Sequence, residues 1–328
     1  MRTLTVEKND SGQRLDKFIM KATAGMPQSL LYKYIRKKCI KVNGKRAEAS
    51  DMLSAGDVVT LFVSDEFFPE GGELAITSIV PKLTVVYEDD NIIICDKPSG
   101  VLVHSGDADG EASDDKNTLI GHIQAYLYRK GEYDPRRENT FAPALCNRID
   151  RNTRGLVIAA KNAEALRDMN EIIKSGGIDK FYLAAVHGIP SPREATLHGW
   201  LRREGGGVRV FDREVPGAKR IATRYRVMKT AGRGEGALSL LEIELLTGRT
   251  HQIRAHMESV GHPLLGEGRY GKNEADRRRG YKNQALCAYR VTFRLGDYDG
   301  ALSYLRGKTV KIDTETVDFL REFEKDKR

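Results

Sequence analysis

The run Asn147-Arg148-Ile149-Asp150-Arg151-Asn152-Thr153-Arg154-Gly155-Leu156-Val157 changes character halfway along. Its first half is polar, with Asp150 set between arginines. Its second half opens an apolar run, Gly155 to Ala160, of strand length. By spacing alone, an Asp between two arginines is most often a surface ion pair, and the run matches no nucleotide, zinc or serine-hydrolase signature. Similar apolar runs lie on both sides. Val85-Val86-Tyr87 and Ile92-Ile93-Ile94 flank the turn Asp89-Asp90-Asn91, and Phe181 to Val186 follows. Leu241, Ile243 and Leu245 alternate with Glu242 and Glu244, and Cys287, Tyr289, Val291 and Phe293 alternate likewise, as half-buried strands do. Helices are predicted at about 163–174, 250–260 and 315–325. Strands and hairpins outnumber β-α-β crossovers, so the reading is an α+β domain with a mixed, largely antiparallel sheet and flanking helices. Residues 105–139, rich in Asp, Gly and Lys, read as a partly mobile insertion.

The N-terminal part has a different pattern. Leu15, Phe18, Ile19 and Ala22 follow helical spacing, and a second helix is expected from Gln28 to Lys38, with Leu31 and Ile35 apolar. Asn43-Gly44 tolerates the positive φ angles of a tight hairpin turn, and Gly56-Asp57 opens a strand from Val58 to Val63. Two helices and a small hairpin sheet make a compact module over 1–65. The acidic, Gly- and Pro-bearing stretch after it reads as a linker, 66–79, leaving 80–328 as the larger domain.

At 328 residues, two domains are expected. No apolar stretch approaches the roughly 20 residues that span a bilayer, and the first residues lack the apolar core of a signal peptide, so a cytoplasmic location is expected. Cys39, Cys95, Cys146 and Cys287 lie far apart without a C-x-x-C pair, which argues against zinc and against a disulfide framework. The net charge of +8 is uneven: Met1 to Val63 carries twelve Lys or Arg against six Asp or Glu. Lys33, Arg36 and Lys37 share a helix face, and Lys41, Lys45 and Arg46 surround the hairpin; with Arg14 and Lys17 they form a footprint for a polyanion. A solvated surface is the ordinary explanation for such a charge run.

The layout Arg14-Leu15-Asp16-Lys17-Phe18, then Ile35 to Gly44, then Gly56-Asp57-Val58-Val59 resembles the S4 RNA-binding domain over roughly residues 12–63. In the larger domain four segments occur in fixed order: Tyr87 to Val101, Asn147 to Val157, Lys180-Phe181-Tyr182-Leu183-Ala184, and Leu246-Thr247-Gly248-Arg249-Thr250-His251-Gln252-Ile253-Arg254-Ala255-His256. Together they resemble the RluA/RluC/RluD family of pseudouridine synthases over roughly residues 80–300. The resemblance implies that Asp150 is the catalytic aspartate, Tyr182 the active-site tyrosine and Arg249 the arginine that pairs with the aspartate, with Arg148 on the RNA. It also implies isomerisation of uridine in structured RNA, by resemblance the large-subunit ribosomal RNA, with no cofactor. Asn147 stands where the motif begins with His, Arg154 where it has Ser, and Cys287 where a later segment often has His. The first two departures bear on substrate orientation.

Isomerisation breaks the N1–C1′ bond, turns the base and rejoins it through C5. A carboxylate can attack C1′ or remove the C2′ proton, and the sequence leaves both routes open. Arg249 beside Asp150 would favour the ionised carboxylate. For Tyr182, stacking on uracil and removal of the C5 proton are both open, and a buried structural tyrosine is the commoner explanation in an apolar strand. His251 and His256 are five apart, off the spacing that aims two imidazoles at one metal, so no metal site is expected. Gly205-Gly206-Gly207 lacks a following Lys-Ser or Lys-Thr and reads as a hairpin turn rather than a phosphate loop. Two other readings stand beside the synthase: a non-catalytic RNA-binding or ribosome-assembly factor, and a glycoside hydrolase, which would need a second carboxylate.

Overall fold

The computed structural model describes residues 1–23, 25–68, 75–105, 117–271 and 274–324. The first part contains strand β1 (Arg2–Thr5), helices α1 (Leu15–Ala22) and α2 (Gln28–Arg36), and strands β2 (Ile40–Val42), β3 (Lys45–Arg46) and β4 (Val58–Leu61). The sheet runs β1-β4-β2-β3, all antiparallel. The predicted helical stripe is its core: Leu15, Phe18, Ile19 and Leu31 are fully buried with Ile40, Val59 and Leu61. Each such side chain contributes about 1.5 to 3 kcal/mol of burial. Asn43 and Gly44 both take positive φ, 50° and 74°, closing the two-residue hairpin that joins β2 to β3.

The second part contains β5 (Val85–Glu88), β6 (Ile92–Lys97), α3 (Leu119–Arg129), β7 (Ala144–Leu145), β8 (Arg154–Ala160), α4 (Ala163–Lys174), β9 (Ile178–His187), β10 (Glu194–Glu204), β11 (Gly207–Phe211), β12 (Lys219–Ala231), β13 (Leu238–Leu245), α5 (Gln252–Ser259), α6 (Glu274–Arg278), β14 (Leu286–Phe293) and β15 (Thr309–Lys311). They form one sheet in the order β11-β10-β12-β13-β9-β14-β8-β6-β5, with β15 beside β14 and β7 beside β8. The β14–β8 pair is parallel and the other described pairs are antiparallel. Buried side chains on opposite faces of the central strands form two cores. Ile92, Ile94, Leu156 and Ile158 belong to one, and Ile93, Cys95, Val157 and Ala159 to the other, as period-2 alternation requires.

Two sequence expectations need correcting. Within 105–139, the described residues 117–139 contain α3, capped by Thr118, whose Oγ1 accepts from the Gly121 N–H at 3.2 Å. Leu119, Ile123 and Leu127 of α3 are core; residues 106–116 lie outside the described residues. At the C-terminus, 3-10 turns at Thr314–Thr316 and Asp318–Phe323 replace the expected α-helix. The segment read as a linker carries short 3-10 turns at Asp65–Phe67 and Ala75–Ser78, while residues 69–74 lie outside the described residues.

The two parts meet through polar contacts centred on Asp10, which is fully buried. Its carboxylate accepts from Thr140 Oγ1 (2.6 Å), Thr140 N (3.1 Å) and Asn139 Nδ2 (2.7 Å). Asn9 adds bonds to Glu138 and to the Ala163 N–H, at the start of α4.

Candidate active site

Asp150 lies on the loop between β7 and β8, and the chain folds it there for local reasons. The Thr153 N–H donates to the Asp150 carbonyl at 3.0 Å, closing a tight turn, and Thr153 is buried under Gln284 Nε2 (3.3 Å). The loop after β6 grips this turn. Lys97 is fully buried, and its ammonium donates to the carbonyls of Pro98 (3.0 Å), Val101 (2.8 Å) and Arg151 (2.8 Å). Burial lowers the Lys97 pKa to about 8 even though Asp150 and Asp96 oppose the shift. Ser99 Oγ donates to the Asn152 carbonyl, and Gly100 N–H to the Arg151 carbonyl. Gly155, the second residue of β8, has φ +129°, and a Cβ there would sit 2.2 Å from the Ala288 carbonyl oxygen. Only glycine permits this close approach of β8 to β14.

The partner of Asp150 is Arg254, not Arg249. Arg254 Nη1 donates to Asp150 Oδ2 at 2.9 Å, while its Nε and Nη2 fork onto Glu267 at 2.8 and 2.7 Å. Arg254 sits on the buried face of α5, its side chain 9% exposed, with the Tyr270 ring 5.3 Å away. Burial works against its charge, but Glu267 and Asp150 overcome that and raise its pKa above the ordinary arginine value. For Glu267, burial would raise the carboxyl, yet the Arg254 hydrogen bonds and the Arg269 and Tyr270 N–H groups bring it below its usual range. Arg249 precedes the helix, is exposed, and has no ion-pair partner among the described residues. Its backbone N–H is held by Gln252 Oε1 (3.1 Å), and Gln252 Nε2 in turn bonds the Ala222 carbonyl and Thr223. Arg249 therefore stands at the rim of the cleft.

Tyr182, on β9, is 6% exposed and lines the same cleft as Asp150 and Arg249. Burial, and then the charge of Asp150, push its phenol above the ordinary tyrosine value. Asp150 itself remains reachable, its side chain 22% exposed. The cleft measures about 1330 Å³, and its wall includes Arg148, Arg203, Arg269, Arg277 and Lys282. That volume and lining suit an anionic polymer segment better than a compact apolar ligand.

The departures from the family pattern have structural explanations. Asn147 Oδ1 accepts the Ile158 N–H at 2.7 Å, and its Nδ2 reaches the Leu156 carbonyl, so this amide pins its own segment to β8. Arg154 forks onto buried Asp96 (2.7 and 3.1 Å) and bonds Thr316, clamping β8 to the C-terminal turns. Cys287 is buried on β14 between Leu183 and Arg154 in register, and burial lifts its thiol to about 12. His256 turns away from Asp150 to Thr223 Oγ1 (3.0 Å). Among the described residues no group of three or more His, Cys, Asp or Glu could hold a metal.

In the N-terminal part, Lys17, Lys33, Arg36, Lys37, Lys45 and Arg46 are exposed, and the Lys41 ammonium lies 5.7 Å from the Phe62 ring centroid. Arg14 is engaged within the module, forking onto Asp16 at 2.7 and 3.1 Å. The sequence reading missed Arg254, Lys97, Glu267 and Tyr270. One signal was available: Arg254 is a charge between Ile253 and Ala255 in a segment otherwise fit for burial.

An α+β fold with a reachable carboxylate and a buried arginine in a basic cleft suits an enzyme acting on a polyanion, and comparison with known proteins gives its family. The sequence model of RNA pseudouridylate synthases matches residues 91–259, and that of the S4 domain matches residues 13–59. An uncharacterised RNA pseudouridine synthase of Mycoplasma genitalium is 30% identical over 294 residues, 88% of each chain. Ribosomal large subunit pseudouridine synthase C of Escherichia coli is 31% identical over 287 residues, covering 84% of this chain and 82% of that protein. The fold is shared with human RNA pseudouridylate synthase domain containing 4, with a TM-score of 0.55 at 17% identity over 74% of this chain and 93% of that one. The chain belongs to the RNA pseudouridylate synthase family: it is an isomerase with an N-terminal S4 domain.

Proposed function

We propose that this protein isomerises uridines of large-subunit ribosomal RNA, with Asp150 acting at the sugar of the target nucleotide. The observation that carries this reading is the reachable Asp150 carboxylate, fixed by Arg254 on the floor of a basic cleft. The relatives named for the large ribosomal subunit support the choice of RNA. Asp150 assists departure of the base from C1′, either as nucleophile or by taking the C2′ proton. The base then turns and C5 bonds to C1′ as Asp150 leaves C1′ or returns the proton to C2′; the C5 proton is lost while N1 gains one, so atoms balance without a redox partner or cofactor.

Tyr182 packs against the uracil in this scheme. Its buried phenol, with Asp150 nearby, makes the phenolate scarcer than for free tyrosine, which disfavours it as the C5 base. Arg249 and Arg148, at the cleft, contact RNA phosphates, and Lys17, Lys33, Arg36, Lys37, Lys41, Lys45 and Arg46 of the S4 domain add sequence-independent contacts. Those contacts offset the roughly few kcal/mol needed to expose the target base. The division is S4 domain 1–65, connecting segment 66–79 and catalytic domain 80–328, and the protein works as a monomer in the cytoplasm.

The test is to map pseudouridine in ribosomal RNA from cells with and without this protein. Loss of one or more large-subunit sites, restored by the wild-type chain, is expected. An unchanged map despite RNA binding would indicate the non-catalytic factor instead.

A further inference from the structure

His251 caps α5 from the left-handed region, φ 54° and ψ 18°. The other described non-glycine residues with positive φ are Lys38 and Asn43, one at the turn from α2 to β2 and one in the β2–β3 hairpin. His251 instead stands beside the carboxylate, a place where such a conformation costs about 1 to 3 kcal/mol and needs support from its surroundings. The support is Tyr270. Its hydroxyl lies 2.7 Å from His251 Nδ1, and the two rings meet edge to face at 5.7 Å. The same hydroxyl accepts the Val208 N–H at 3.1 Å. With the Val208 N–H on one lone pair of the Tyr270 oxygen, the tyrosine O–H can donate to Nδ1 in the tautomer that leaves Nδ1 bare. The imidazole proton then sits on Nε2, which faces Asp150 Oδ2 at 3.8 Å.

Val208 belongs to β11, just past the turn Gly205-Gly206. Arg269 Nη1 holds the Gly206 carbonyl at 2.6 Å, and a Cβ on Gly207 would lie 3.2 Å from the Tyr270 hydroxyl. The tip of the β10–β11 hairpin is therefore seated on the residue that orients His251. We infer that His251 is a positioning residue for Asp150, and that Tyr270 couples the seating of the β10–β11 hairpin to the orientation of the carboxylate. This rests on the reading of Asp150 as the catalytic group. The hairpin tip and Asp150 line one cleft, so RNA lying in it touches both ends of the line Val208, Tyr270, His251, Asp150.

The charged groups around the imidazole are Asp150 and Glu267, which favour its protonation, and Arg254 and Arg269, which oppose it. Burial, joined by the two arginines, outweighs the carboxylates and lowers the His251 pKa, which favours the neutral ring whose Nδ1 can accept. Acidification protonates Nδ1 and removes that acceptor.

The test uses the full chain and transcribed large-subunit ribosomal RNA, with single-turnover rate and RNA affinity measured separately. His251→Ala and Tyr270→Phe should each slow isomerisation about tenfold or more at unchanged affinity. The double variant should be no slower than the slower single, because both cut one line. His251→Asn, which tolerates the left-handed backbone and offers both an acceptor and a donor, should recover most of the rate and lose the acid-side fall of the wild-type pH profile. Wild-type rates in both single variants, or losses that multiply in the double, would overturn the inference. Asp150→Asn is run alongside: if it stays active, the reading of Asp150 fails; if it is inactive while the His251 and Tyr270 variants are unaffected, only this inference fails.

Discussion

Arg254 holds Asp150 at 2.9 Å with one nitrogen and Glu267 with its other two, so a single buried guanidinium bridges the carboxylate exposed to the cleft and one that is 1% exposed. Removing it strands Glu267. Arg254→Ala should cost about 3 to 5 kcal/mol of stability as well as activity. Arg254→Lys keeps a charge but loses the fork, so it should fold and lose on the order of 10²-fold in rate. Arg249→Ala should stay within about 0.5 kcal/mol of wild type and should weaken RNA binding instead. Urea melts and filter-binding assays on the three variants check this; equal stability loss for Arg249→Ala would contradict the rim position of Arg249.

His256 supplies a pH dependence. Burial lowers its pKa from 6.5 to about 4. Between those values the unfolded chain binds a proton that the folded chain does not, so stability is present above pH 6.5 and is lost as pH falls toward 4. The limiting loss is about 3 kcal/mol. Comparing urea midpoints at pH 7 and pH 5 for wild type and His256→Gln should show a smaller difference in the variant. An identical difference would mean that His256 is not the acid-sensitive group.

The S4 face makes a salt-dependence prediction. Arg36 and Lys37 are exposed at the C-terminal end of α2. Replacing both with Ala should weaken RNA binding and reduce the slope of log affinity against log salt by about 1 to 2. Titrations at several salt concentrations measure it, and an unchanged slope would remove these residues from the RNA contact.

Asp10 joins the two parts of the molecule. Asp10→Ala removes the acceptor of the Thr140 N–H and hydroxyl and leaves Asn139 Nδ2 only the Thr5 carbonyl, and should cost about 1 to 3 kcal/mol. Calorimetry should show the S4 domain melting earlier than the rest. A single unshifted transition would show that the Asp10 cluster does not hold the parts together.

Much of this was legible in the sequence, for definable reasons. The period-3.6 stripe of Leu15, Phe18 and Ile19, the Asn43-Gly44 turn and the alternation along β13 report burial directly, and all three form as read. Helix α3 was obscured because Leu119, Ile123 and Leu127 sit inside a polar, glycine-bearing stretch whose composition outweighed their spacing. The C-terminal turns have helical composition, but the chain there closes against Arg154 and β12 in 3-10 form. Around Asp150, motif order named Asp150 and Tyr182, which line one cleft, and named Arg249 as the partner of the aspartate where Arg254 holds it. Arg249 and Arg254 lie in one short segment, and which of them faces inward depends on the kink at His251, a backbone feature that residue types do not announce. Lys97 escaped notice because a lysine's preference for the surface gives no hint of three waiting carbonyls.

The most direct test of the central claim is single-turnover conversion of transcribed large-subunit ribosomal RNA by wild type and by Asp150→Asn, with RNA affinity measured on the same preparations. The predicted result is pseudouridine from the wild type and none from the variant, at equal affinity and equal thermal stability. Pseudouridine formed by Asp150→Asn at the wild-type rate would contradict the assignment.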